Sequence, residues 1–167
     1  MWLACLHVFG RYHDRMKFHP TSHLFALLTV LVFGVGSAAV AADAERSPED
    51  TVKGYLKAMQ DQKFPDAYDY VSSTLRGGKG REEWAKEQQY IVQVGEVKIF
   101  GYKVYKAEIV GDTAKVPNIL KSQDKYLNQL GLDEHEVYTL VKEDGAWKID
   151  QQMLVEGADK SEYFPDE

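Results

Sequence analysis

Cysteine is nearly absent: the 167 residues hold one, Cys5, and it precedes the one long apolar stretch. A disulfide framework, a thiolate zinc site and a cysteine nucleophile are therefore excluded from everything downstream. A bacterial lipid anchor is excluded as well, because it needs a cysteine directly after the small residues that close an export leader. Histidine is almost as scarce, and His135 is the only one beyond His23. A serine triad needs such a base, yet nothing in the sequence places Ser72, Ser73 or Ser122 beside it. With so few nitrogen and sulfur ligands only scattered carboxylates remain for a metal, so no metal site and no cofactor are expected. The apolar stretch from Leu24 to Val35 runs for roughly a dozen residues, short of the ~20 that a permanent membrane span requires.

That stretch fits the core of an export signal. Gly36-Ser37-Ala38-Ala39-Val40-Ala41 follows it, and small residues at this position read as a signal-peptidase site at Ala39-Val40-Ala41. Residues 1–41 are thus read as a signal peptide, with Met16-Lys17 a more ordinary start than the prefix containing Arg11, His13, Asp14 and Arg15. The implied address is periplasmic or secreted. Processing would remove three cations, Arg11, Arg15 and Lys17, and one acid, Asp14, which takes the formal net charge from -6 to -8. An acidic surface without a basic cluster is repelled by phosphate backbones, so nucleic acid is not an expected partner. No membrane span is expected after processing. The roughly 125 residues that remain suffice for one domain with one core.

Residues 42–46 read as a linker, and the folded domain as 47–156. Ser47-Pro48-Glu49-Asp50 supplies a capping hydroxyl, a proline for the first helical turn and acids for the positive helix end, which predicts a helix from Pro48. Val52, Tyr55, Leu56 and Met59 share one face of it. Phe64, Ala67, Tyr68 and Val71 repeat the spacing and predict a second, shorter helix. Ser72 to Gly80 reads as a loop. Its Gly77-Gly78-Lys79-Gly80 lacks the spacing of a phosphate-binding loop and reads as a turn. A third helix runs from Arg81 toward Tyr90, with Trp84 as its anchor in the core.

Beyond Gly95 the pattern alternates as strands do. Val97 and Ile99 share one face and Phe100, Tyr102 and Val104 the other, a slip that a bulge near Gly101 explains. Gly111-Asp112 reads as a hairpin turn returning through Ala114 and Val116, and Pro117 argues for a strand edge or a bulge. Gln123 to Asp133 fits either a short helix or a long loop, since Tyr126, Leu127 and Leu130 have helical spacing. Val137 to Val141 and Trp147 to about Val155 form a closing hairpin around Glu143-Asp144-Gly145. Residues 157–167 read as a loose acidic tail, unless Tyr163 and Phe164 pin it down.

The sequence therefore predicts an α+β fold: N-terminal helices packed on a curved antiparallel sheet, a cone-shaped half barrel preceded by a signal peptide. The words Ser47-Pro48-Glu49-Asp50-Thr51-Val52, Phe64-Pro65-Asp66-Ala67-Tyr68 and Asp144-Gly145-Ala146-Trp147-Lys148-Ile149 resemble the nuclear transport factor 2-like (cystatin-like) superfamily. The likeness is to its small exported bacterial members of unassigned function, and it covers most of residues 47 to 155. The stretch from Asn118 to Asp133 is longer than the connection usual there. Such a resemblance implies a fold and grants no activity, because the superfamily hosts isomerases, cyclases, dehydratases, transport adaptors and plain binders.

Within that fold Gln151 shares the parity of Trp147, Ile149 and Met153, which aims a neutral amide into an apolar interior, where Tyr55, Tyr68 or Tyr102 can supply a hydroxyl. With Trp84 and Tyr138 these are the candidate ligand contacts; the plainer reading of the aromatics is core. His135 reads as a strand-edge residue with Glu134 and Glu136 on the opposite face, and Asp150 as turned away from the core. The leading expectation is an exported non-catalytic domain that binds a small apolar ligand or a protein partner. Two alternatives stand beside it. One is an enzyme resembling the ketosteroid isomerases and polyketide cyclases, with a buried aspartate, tyrosine or histidine as acid or base, of which the strand after Asp133 offers only His135 or Tyr138. The other is an assembly module forming a homodimer through its sheet.

Overall fold

A computed structural model describes residues 46–165 of the chain. The leader and its cleavage site lie outside the described residues. Helix α1 spans Pro48–Gln60, and the Ser47 side chain accepts the Asp50 N–H, so the cap forms as the sequence predicts. Val52, Tyr55, Leu56 and Met59 are all buried.

The second helical run is shorter than its spacing predicts. It is helical over Phe64–Ala67 (α2), tightens to a single 3-10 turn over Tyr68–Tyr70, and ends at Val71, whose backbone is extended. Tertiary pairing overrides the helical pattern: Val71 bridges Ile149 in parallel, and the Ser72 N–H reaches the Ile149 carbonyl at 2.8 Å. The following stretch, expected to be loop, contains a helical turn, Ser73–Arg76 (α3), capped by Ser72 and closed by Gly77 at φ 62°. Helix α4 runs from Arg81 to Gly95, with Trp84 fully buried edge-to-face against Tyr68.

Five antiparallel strands follow: β1 (Lys98–Val104), β2 (Glu108–Val110), β3 (Thr113–Gln123), β4 (Asp133–Glu143) and β5 (Ala146–Leu154). The sheet is open, ordered β1-β3-β4-β5, with β2 against the first part of β3 and β1 against the second. Pro117 lies in the middle of a central strand, not on an edge. It sits at the seam where β2 gives way to β1, and its carbonyl takes the N–H of Tyr105 from the crossing segment. Proline's missing N–H is tolerated there because neither the β1 ladder nor the β2 ladder reaches it. Asn118 to Gln123, taken with an irregular connection in the sequence, are strand; the loop proper is Asp124 to Leu132. Asp124 and Asn128 tie it internally, leaving Tyr126, Leu127, Leu130 and Leu132 exposed instead of on a helical core face.

Two bulges bend the sheet. In β1 the register shifts between Ile99 and Gly101, so Phe100 is the extra residue and Ile99 and Tyr102 return to the same inner face. In β5, Thr139 opposes Gln151 while Leu140 opposes Ile149, so Asp150 is the extra residue. The inner face carries Ala114, Val116, Leu120, Tyr138, Leu140 and Ile149 against α1 and Trp84. The outer face carries Ile119, Val137 and Val155, covered by Phe164. The end of the chain is thus anchored as far as Phe164, just after a last helical turn, Lys160–Tyr163 (α5).

Ser72 ties helix to sheet. Its hydroxyl accepts the Leu75 N–H at 3.0 Å and donates to the Asp150 carboxylate at 2.7 Å, while the residue itself is fully buried. Ser72→Ala removes both bonds and should lower unfolding stability by about 2 kcal/mol, read from urea titration. Thr74→Ala, exposed one turn along, should leave it within about 0.5 kcal/mol.

Candidate functional site

A cavity of about 290 Å³ opens between α1 and the start of the sheet. Tyr55, Leu56 and Met59 from α1, Val92 from α4, and Val97, Ile99 and Leu120 give it apolar walls. Gln60, Gln62, Lys98 and Phe100 stand at its mouth, Phe100 being 61% exposed. Ser122, Tyr138 and Gln152 form its inner end.

Behind that end lies Glu136, 1% exposed. Its Oε2 accepts from Asn118 Nδ2 at 3.1 Å and from Tyr138 Oη at 3.2 Å, and its Oε1 from Gln152 Nε2 at 2.5 Å. Cross-strand register makes these contacts: Asn118 pairs with Glu136, and Gln152 pairs with Tyr138. Two positions earlier on the same face, Glu134 accepts from Ser122 Oγ at 2.5 Å. Burial pushes the Glu136 carboxyl up from its usual 4.5 to about 7. The negative charge of Glu134 adds to this, while the bonds from Gln152 and Asn118 pull the other way. Burial and the Glu136 charge also drive the Tyr138 phenol well above its usual range, so it stays protonated as a donor.

The six sequence candidates divide. Tyr55 and Tyr138 line the cavity, their rings edge-to-face at 6.2 Å. Tyr68 and Trp84 pack on each other elsewhere in the core, the Tyr68 hydroxyl donating to the Lys79 carbonyl. Tyr102 contributes to the core and its hydroxyl reaches the Lys53 carbonyl. Gln151 is exposed, because the Asp150 bulge reverses the parity of β5 beyond Ile149 and delivers Gln152 inward in its place. His135 lies on the outer face, its ring 4.8 Å from that of Phe164 and remote in orientation from the cavity. The carboxylate at the centre of the site went unread. Its signal was parity: Glu136 alternates in step with Tyr138 and Leu140, both core residues. Among the described residues, no three of histidine, cysteine, aspartate and glutamate gather as metal ligands. Nor is any described helix long and apolar enough to cross a membrane.

The raised Glu136 carboxyl has a stability consequence with a definite sign. An unfolded chain ionises it near 4.5 and the folded one near 7, so its contribution is complete below about 4.5 and is lost as pH rises through 7. Glu136→Gln has no such loss. Its stability relative to the parent should therefore rise by about 3 kcal/mol between pH 4.5 and pH 7, then level off, in parallel urea titrations.

No protein-family model matches the sequence, and no curated protein matches it either. Solved structures do match. A SEC-C motif containing protein from Rhodopseudomonas palustris is similar at TM-score 0.50 and 15% identity, over 66% of this chain and 80% of that one. A domain of unknown function with a cystatin-like fold from Nostoc punctiforme is similar at TM-score 0.49 and 15% identity, over 71% and 81%. An NTF2-like protein of unknown function from Cytophaga hutchinsonii is similar at TM-score 0.42 and 14% identity, over 68% and 94%. Likeness at such identities speaks of fold and leaves activity open. The fold itself, helices against an open five-stranded antiparallel sheet, is the α+β arrangement that the sequence predicts.

Proposed function

We propose that this protein is exported and binds a small, mainly apolar molecule in its cone without converting it. The observation that carries the reading is the cavity itself: apolar side chains along its walls, and a few polar groups gathered at one end. Ligand sites combine apolar area for affinity with few polar groups for orientation. Glu136 supports a binding role over a catalytic one, since three donors already engage both its oxygens and the cavity meets Tyr138 and Gln152 first. Export rests on the leader of residues 1–41.

An acid–base enzyme is the second reading, favoured by one observation, a buried carboxyl raised to about 7. Such an enzyme would lose turnover on Glu136→Gln while keeping ligand affinity.

Native mass spectrometry on protein purified from its own host tests the binding reading. A small co-purifying mass is expected, and Gln60→Trp, which fills the mouth from the solvent side, should reduce its occupancy at least tenfold. An empty wild-type protein whose melting temperature does not respond to a panel of small apolar molecules would overturn it. N-terminal sequencing of the same material should read from Ala42; an intact leader would overturn the export reading alone.

A further inference from the structure

The polar end of the cavity has a direction. Ser122, Tyr138 and Gln152 are the polar groups it presents, and each spends a hydrogen on a carboxylate behind it: Ser122 Oγ on Glu134, Tyr138 Oη and Gln152 Nε2 on Glu136. A hydroxyl has one hydrogen, so Ser122 and Tyr138 have only lone pairs left to offer a ligand. Gln152 gives one of its two amide hydrogens to Glu136 and retains its carbonyl oxygen as acceptor. Acceptor oxygens therefore predominate at this end, backed by two carboxylates two positions apart on one strand.

Among the side chains of the described residues, those carboxylates meet neutral donors. Among the described residues neither Glu134 nor Glu136 forms an ion pair, although seven ion pairs link other side chains. A further buried acceptor points the same way. Asn118 is fully buried, gives its Nδ2 to Glu136, and leaves its Oδ1 without a hydrogen-bond partner in the same cluster. Buried acceptors in excess of donors are costly, and what relieves them is a donor carrying positive charge. The walls suit such a group. Tyr55 and Tyr138 place two ring systems beside the inner end, and aromatic faces attract organic cations.

Resting on the binding role argued above, we propose that the cone takes a small organic amine in its protonated form. The hydrocarbon part lies along Leu56, Met59 and Ile99, and the ammonium N–H groups meet the oxygens of Ser122, Tyr138 and Gln152. Lys98 at the mouth is the one cation lining the cavity, and it marks the competing arrangement, a carboxylate-headed ligand held head-outward.

Three probes of one chain length separate the possibilities: hexylamine, hexan-1-ol and hexanoate, titrated by calorimetry into the purified protein at pH 8. Hexylamine should bind roughly tenfold more tightly than hexanol, the scale of one charge-assisted hydrogen bond, with hexanoate weakest. In Glu136→Gln, which keeps the shape and removes the charge, the hexylamine to hexanol ratio should fall to within about twofold. Equal binding of amine and alcohol, tightest binding of hexanoate, or a ratio untouched by Glu136→Gln would each overturn the proposal and leave the cone a binding site for something else. Binding of none of the three would sink the cone-binding reading and this inference together.

Discussion

The inner end of the cone depends on one unpaired residue. Asp150 is the position in β5 with no counterpart on β4, and were it paired in regular register the last strand would carry Gln151 inward and Gln152 out. The bulge is held from outside the sheet, by the Ser72 hydroxyl on its carboxylate and by the bridge of Val71 to Ile149. A bulge left free can slide, and a slide of one residue turns every later side chain to the wrong face. The short helical turn Ser73–Arg76 therefore fixes register in a strand more than seventy positions away in the sequence.

With the register fixed, the burial of Glu136 becomes tolerable. An isolated carboxylate inside protein is strongly disfavoured, and two outcomes relieve it: protonation, or donors on both oxygens. Here both operate: burial raises the carboxyl to about 7, while the bonds from Gln152 and Asn118 favour its charged form. Its three donors come from three strands, Asn118 on β3, Tyr138 on β4 itself and Gln152 on β5. The network crosses the middle of the sheet and ties the same strands that the bulge aligns. Removing any one donor would leave the others with a less well satisfied charge, so the group acts as a unit.

What the sequence disclosed was local, and what it concealed was long-range. The α1 cap is encoded within four residues, Ser47 to Asp50, and the Gly111 turn within two, so both were legible. The β1 bulge was legible because the apolar phase slips visibly around Gly101. The β5 bulge leaves no such mark: Asp150-Gln151-Gln152 are polar in succession, so their order holds no phase to break. Pro117 misled for a related reason, since the seam between β2 and β1 is a property of two distant segments meeting on one strand. Glu136 was hidden by its chemistry, because a charged residue in a strand is ordinarily taken as solvent-facing even when its parity with Tyr138 and Leu140 says otherwise.

The two features together make the cavity polar in a specific sense. Had β5 run without a bulge, Gln151 would stand opposite Tyr138 in place of Gln152, and every later side chain of the strand would change face. With the bulge, the charge is set back by one layer of hydrogen bonds, and what faces the cavity is the far side of neutral donors. Hydrogen bonds in a chain polarise one another, so an oxygen whose own hydrogen is given to a carboxylate becomes a stronger acceptor. The sheet thereby presents negative potential at the inner end without placing a bare charge there, beside the apolar walls from α1.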